Sequence, residues 1–331
     1  MPVNRQVILS RKPQGKLTLD SFSFAEAPMP VPGEGEVLLK ALYVSLDAAN
    51  RAWMQGVTYR SALETGEVMA GGALAEVAES RVPHLAPGDL VFADMGWQAY
   101  AAVSGRHLAK LPRVEPLTHL LSVYGVTGLT AYFGLLRIGE PKAGETVVVS
   151  AAAGAVGSIA GQVAKIKGAR VIGVAGGPAK GAWLTGELGF DGAIDYKAGD
   201  VRRQLREACP DGIHVYFDNV GGDVFEAALF NMANHGRIVC CGAVSQYDDT
   251  PPPHGPRGVP GLIVTKRLKV QGFVVMDFYA DRDLALSELR GWVEAGRIKV
   301  QEDVIDGLEN LPAALIGLLH GENRGKRMVR V

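Results

Sequence analysis

The chain is poor in the features that mark several large protein classes. It has only three cysteines in 331 residues, Cys209, Cys240 and Cys241. Adjacent cysteines rarely bridge, and no CxxC pair or Cys/His cluster is present, so neither a disulfide framework nor a structural zinc site is expected. No run of about 18 apolar residues offers a membrane span, and the opening MPVNRQVILSRKP lacks the apolar centre of a signal peptide. The expected setting is therefore a reducing cytoplasm. The formal net charge is -1 and no Lys/Arg run breaks the pattern, which argues against a nucleic-acid surface. What is plentiful is apolar residues at 47% and 42 glycines, which together imply a large core and many tight turns or close backbone approaches. A chain of this length accommodates about two domains.

The first third is punctuated by Gly and Pro, with short apolar runs between turn signals, as in PGEGEVLLKALYVSLDAANR and APGDLVFADMGWQAY. That spacing predicts short strands in a β-rich domain. From about residue 116 the texture changes. Strands predicted at 146–150, 170–175, 193–196, 215–219, 237–241 and 269–275 alternate with helices at 154–167, 178–188, 200–208 and 223–233. Largely apolar strands separated by helices indicate an α/β fold with a doubly wound parallel sheet. The tail from about 298 returns to strand and turn texture, which leaves the βαβ block inserted between two parts of the first domain. The stretch DDTPPPHGPRG at 248–258 excludes regular structure and is a candidate lid.

Within the βαβ block, TVVVSAAAGAVGSIAGQVAKIKG carries the first chemical motif. A strand runs into small residues and then into a helix with Val156, Ile159, Val163 and Ile166 at helical spacing. A helix N-terminus presents unpaired N–H groups and a positive dipole end to a phosphate, and the phosphate approaches closely only where side chains are minimal. Gly154 and Ala155 meet that need, and Gly157 lets the helix lie close on its strand. Ala152 stands where the first glycine of a dinucleotide fingerprint would be. NAD-specific sites place Asp or Glu near the end of the second strand. Here that position is Gly176–Gly177, with Lys180 following. Without a carboxylate to repel it a 2′-phosphate is permitted, and Lys180 can pair with it as a point charge. NADPH is the expected cofactor.

The segments GVTGLTAYFGLL, VYFDNVGG, GRIVCCGAVSQY, GFVV and GENRGKRMV, with the motif above, resemble the zinc-independent medium-chain dehydrogenases/reductases. The resemblance is to the branch of prostaglandin reductases, leukotriene B4 dehydrogenases and 2-alkenal (curcumin) double-bond reductases, and it spans nearly the whole chain. It implies a GroES-like β-rich catalytic domain over 1–120 and 298–331, a Rossmann NADPH-binding domain over 121–297, and a homodimer. It implies that Ala155, Val156, Gly157 and Ser158 line the pyrophosphate, and that Lys180 and Tyr196 lie near the adenosine phosphate. Asn219 would approach the cofactor from the end of the fourth strand. Cys241, Gly242, Ala243, Val244, Ser245, Gln246 and Tyr247, with Phe273, Val274 and Val275, would line the nicotinamide side. Thr130 would contact the carboxamide, and Asn323 would close over the cofactor from the tail.

The chain departs from the family where DAANR, 47–51, replaces the common DPYMR, and where Val126 and Thr127 replace Met-Pro. Asn50, Arg51, Trp53, Tyr59 and Met276 are the candidates for a substrate wall. The seven histidines and the absence of any cysteine before Cys209 supply no catalytic zinc set. The expected reaction is therefore metal-independent hydride transfer from NADPH to the β-carbon of an α,β-unsaturated aldehyde or ketone. Charge would develop on the carbonyl oxygen, and Tyr247 is the candidate donor for it. Two other readings of the same chain are an NADPH-dependent quinone reductase and a non-enzymatic NADPH-binding protein.

Overall fold

The computed structural model describes residues 3–58, 60–248 and 258–331. Tyr59 and most of the 248–258 stretch lie outside the described residues. The chain forms two compact units. The first comprises Met1–Leu121, Glu302–Glu322 and Arg327–Val331, and the second Ser122–Gln301 with Asn323–Lys326. The second unit therefore reclaims four residues of the tail.

In the first unit, β1 (Val3–Leu9) and β2 (Phe22–Pro28) form an antiparallel ribbon. The strands β3 (Glu36–Ser45), β4 (Gly72–Ser80), β5 (Leu90–Asp94) and β6 (Tyr100–Ser104) pair antiparallel, and a short helix α1 (Ala49–Trp53) follows β3. Val37, Leu39 and Ala41, alternate residues of β3, are buried with Ala73, Ala75 and Val91, and Val44 rejoins them beyond a register shift, as expected of a strand with one face on a core.

In the second unit α2 (Val126–Phe133) precedes a regular alternation: β7 (Thr146–Ser150), α3 (Ala155–Ile166), β8 (Arg170–Ala175), α4 (Pro178–Gly186), β9 (Gly192–Asp195), α5 (Val201–Ala208), β10 (Ile213–Asp218), α6 (Gly222–Asn231), β11 (Met232–Cys240), α7 (Val259–Lys266), β12 (Lys269–Gly272) and α8 (Arg282–Glu294). The strand order is β12-β11-β10-β7-β8-β9, with parallel pairing from strand to strand. Counted from β7, that is the doubly wound order 3-2-1-4-5-6, whose direction reverses between β7 and β10. The side-chain alternation of the strands divides the core between the two faces of the sheet. Val147, Val149, Val215 and Phe217 join one cluster with helix residues Ile159 and Val163. Val148, Ile172, Val174 and Tyr216 join the other with Leu205 and Leu229. Both faces are covered, which is why these strands read as continuous apolar runs rather than as alternation.

The tail adds β13 (Glu302–Asp306), α9 (Leu311–Leu319) and β14 (Lys326–Arg330). β14 pairs antiparallel with β3, so the end of the chain completes the first sheet.

Candidate nucleotide site

The joint from β7 to α3 is tight. Ala151 adopts a left-handed φ of 47° and Gly154 is the N-cap of α3 in extended geometry. The turn's positive φ thus falls on an alanine, a conformation that costs about 1–2 kcal/mol without a glycine. A Cβ on Gly157 would lie 2.4 Å from the Ala151 carbonyl oxygen and 2.9 Å from Ala152 Cα, so only glycine lets α3 approach β7 this closely. Gly154 is different: its Cβ would meet only the Ala151 oxygen, at 3.1 Å. Ala155 and Val156 open the helix, whose first-turn amides have no partners within the helix and face a cap that carries no side chain. Ser158 is buried, with its hydroxyl donating to the Ala155 carbonyl at 3.3 Å. The tail touches this loop: the Gly325 amide donates to the Ala153 carbonyl at 2.9 Å, and Gly154 and Gly325 form a parallel bridge. Asn323 is buried and its Nδ2 donates to the Gly325 carbonyl at 2.8 Å, so it shapes the turn that seats beside the loop.

The ends of β7 and β10, on either side of the switch point, are locked by a polar network that sequence reasoning did not foresee. Asp218 is 3% exposed. Its Oδ1 accepts from Ser150 Oγ at 3.0 Å, Tyr216 OH at 2.8 Å, and the Val220 and Gly221 amides at 3.1 Å each. Burial pushes this carboxyl up from its ordinary value, and the hydrogen bonds it accepts oppose that shift. Ser150 Oγ in turn accepts the Asn219 amide at 2.8 Å, and Asn219 Nδ2 donates to the Ser150 carbonyl at 2.7 Å. The amide plane of Asn219 is thereby set. The visible signal was a polar residue closing each of two apolar strands, TVVVS and HVYFD.

The loop after β11 is fastened to the same place. The Cys241 and Gly242 amides donate to the Asp218 carbonyl at 2.8 and 3.1 Å, the Val244 amide to Asn219 O at 3.3 Å, and the Ser245 amide and hydroxyl to Val220 O at 3.1 and 2.7 Å. Val244, Ser245 and Gln246 form a 3-10 turn ending at Tyr247. The Tyr247 hydroxyl accepts the Ala243 amide at 3.4 Å, and burial raises its pKa above the ordinary tyrosine value. Burial also pushes the Cys240 and Cys241 thiols up, to about 11 and about 12, so both stay protonated near neutrality.

At the end of β8, Gly176 and Gly177 lead into α4, which carries Lys180 in its first turn. The Tyr196 ring, 43% exposed, lies across Gly176, where a Cβ would stand 2.9 Å from its Cε1.

Several expected site residues do other work with their side chains. The Thr130 hydroxyl donates to the Val126 carbonyl at 2.7 Å. Phe273 turns its ring into the core, filling the space beside Gly134 and meeting Phe278 edge-on, and Val275 is buried in the same cluster. Val274 is left at the N-cap of the 3-10 turn that follows. In the first unit, Asn50 and Arg51 are 1% and 0% exposed, against an expected place in a substrate wall. Asn50 Nδ2 donates to the Ala70 carbonyl at 3.0 Å while its Oδ1 accepts the Asp47 amide, and Arg51 donates to the Gly15 carbonyl at 2.7 Å. These hydrogen bonds hold backbone segments together. Trp53 is half-buried with Arg60 over its ring at 4.5 Å, and Met276 is 44% exposed. Among the described residues no group of three or more His, Cys, Asp or Glu could hold a metal ion, and no helix is long and apolar enough to cross a membrane.

The glycine cap, the small residue that follows it and the locked switch point fit a dinucleotide. Comparison with known proteins agrees. Residues 5–111 match the family model described as the N-terminal domain of oxidoreductase, and residues 155–290 the one described as zinc-binding dehydrogenase. The chain is 43% identical to the NADPH-dependent curcumin reductase of Escherichia coli, over 99% of this chain and 97% of that protein. It is 44% identical to prostaglandin reductase 1 of Bos taurus, over 96% and 95%. The crystal structure of CurA from Vibrio vulnificus in complex with NADPH superposes with a TM-score of 0.94 at 40% identity, covering 99% of each chain. With its fold, its phosphate-loop geometry and these relatives in agreement, the chain belongs to the medium-chain dehydrogenases/reductases, in the prostaglandin, curcumin and 2-alkenal reductase branch, whose members are NADP-dependent oxidoreductases.

Proposed function

We propose that this chain reduces the carbon–carbon double bond of α,β-unsaturated aldehydes and ketones at the expense of NADPH, without a metal. The observation that carries the reading is Tyr247, a phenol held by the Ala243 amide at the C-terminal end of the sheet, on a loop fastened to the switch point. Bound NADPH supplies the hydride. Reduction of a conjugated bond at its β-carbon leaves negative charge on the carbonyl oxygen, and that oxygen needs a donor already in place. Burial raises the phenol's pKa above the ordinary tyrosine value, so Tyr247 carries a proton at neutral pH.

The first turn of α3, at Gly154, Ala155, Val156 and Gly157, would hold the phosphates, and Lys180 and Tyr196 would meet the adenosine end. Asn219 and the 241–247 loop would hold the rest of the cofactor from the ends of β10 and β11. The similarity to a curcumin reductase supports the substrate class, because curcumin is itself a conjugated enone.

The test is steady-state NADPH oxidation over a panel of 2-alkenals, aryl enones and quinones. Turnover of enals and enones, with reduced carbon–carbon bonds in the products, is the expected outcome. Turnover of quinones alone would make the chain a quinone reductase. Tight NADPH binding with no turnover on any member of the panel would make it a binding protein.

A further inference from the structure

The end of the second strand in a doubly wound dinucleotide fold faces the adenosine ribose, and its side chains decide what may stand at the 2′ position. In this chain β8 ends at Ala175 and the next two residues are glycines. The space beside them is filled from the turn that follows β9. A Cβ at Gly176 would lie 2.9 Å from Lys197 Cε, 2.9 Å from Tyr196 Cε1 and 3.1 Å from Tyr196 Cζ. Lys197 therefore runs through the place that a side chain at 176 would take, with its ammonium 5.8 Å from the centre of the Tyr196 ring.

Its backbone is pinned there. Asp195 Oδ1 accepts both the Lys197 amide and the Gly177 amide, each at 2.9 Å, and these two bonds hold its carboxyl below the ordinary aspartate value. One carboxylate thus ties the turn that starts α4 to the turn that carries Lys197. Helix α4 lies close on β9, with a Cβ at Gly181 reaching to 3.4 Å from Ala193 Cβ, and it brings Lys180 to the same end of the sheet.

Asp195 places a negative charge on this turn, and Lys197, two residues on, offsets it and brings a positive side chain along the space left open at Gly176. We propose that Lys197 is a specificity-determining residue for the 2′-phosphate of NADPH, acting together with Lys180, and that Asp195 is the positioning residue that sets it there. The inference rests on the cofactor reading above and adds a residue to it.

The test uses two ligands that differ only at the 2′ position, adenosine 2′,5′-bisphosphate and adenosine 5′-monophosphate, titrated calorimetrically into the full chain. The unmodified chain should bind the bisphosphate more tightly. A charge-assisted contact at a solvated site predicts that Lys197→Gln weakens the bisphosphate by roughly tenfold. Binding of the monophosphate should stay within about twofold, and Lys197→Arg should recover most of the preference, since the long-range part of the contact needs only the positive charge. The preference should also shrink as salt rises, because the contact is solvated. Equal weakening of both ligands by Lys197→Gln, or no weakening of either, overturns the inference. If Lys180→Gln alone abolishes the preference while Lys197→Gln does not, the role of Lys197 fails and the NADPH reading stands. If the unmodified chain binds both ligands equally, the cofactor reading fails and the inference with it.

Discussion

Tyr247 shows how much one hydroxyl can be asked to do. Its ring and its bond from Ala243 place it, and its raised pKa means that the proton is present across the neutral range and is lost only above the ordinary tyrosine value. Tyr247→Phe keeps the ring, so folding should persist. Loss of one oxyanion donor can cost about 10²–10³ in kcat, and we expect about tenfold here because a cofactor ribose hydroxyl can share the load. Because the charge exists only once reduction has begun, the loss should fall on kcat as well as kcat/KM. Single-turnover reduction of one good enone at saturating NADPH, with NADPH binding titrated separately, reads both. An unchanged saturated rate with weaker NADPH binding would reduce Tyr247 to a cofactor contact.

At the scale of the element, the joint between β7 and α3 separates two demands that the same short motif serves. Gly157 is needed by the protein itself, since its Cβ would stand 2.4 Å from a backbone oxygen that cannot swing away. Gly154 is proposed to be needed by the ligand: a Cβ there would stand 3.1 Å from the same oxygen, tight but outside the range that forces a rearrangement, and its φ of -85° suits any residue. Gly157→Ala should therefore destabilise the chain by about 1–3 kcal/mol, as overpacking does. Gly154→Ala should destabilise the chain less than Gly157→Ala yet bind NADPH much more weakly, because the methyl intrudes where a phosphate approaches backbone. Urea unfolding of both variants without ligand, and NADPH titration of each, checks the pair. Equal stability losses would show that the two glycines are not divided in this way.

For the molecule as a whole, the metal question is the sharpest. One matching family model is described as zinc-binding, while the proposed reaction relies on Tyr247 and NADPH. Activity on an enone should survive dialysis against a strong chelator, and elemental analysis should find zinc well below one equivalent. Activity lost to the chelator and restored by zinc would sink the metal-independent reading.

Much of this was legible along the chain because it is local. The strands 146–150 and 170–175 were placed to the residue, and α3 to within one residue at each end, since apolar runs bounded by glycine and proline report burial directly. The small residues at 154, 155 and 157 announced a close approach, because only a minimal side chain permits one. Register, partners and charge balance are not local. That Asp218 would gather Ser150, Tyr216 and two amides, that Asn50 and Arg51 would be buried holding backbone, that the Phe273 ring would turn inward against Gly134, and that Lys197 would fill the space left by Gly176 all depend on residues distant in sequence or on which face of an element points inward. Apolar period and glycine position are properties of single segments, so the amino-acid order by itself determined the alternating fold and the tight small-residue joint after β7. Hydrogen-bond pairing is settled only when separate segments meet, so the tertiary structure alone decided which polar side chains are spent on the scaffold and which remain for the cofactor.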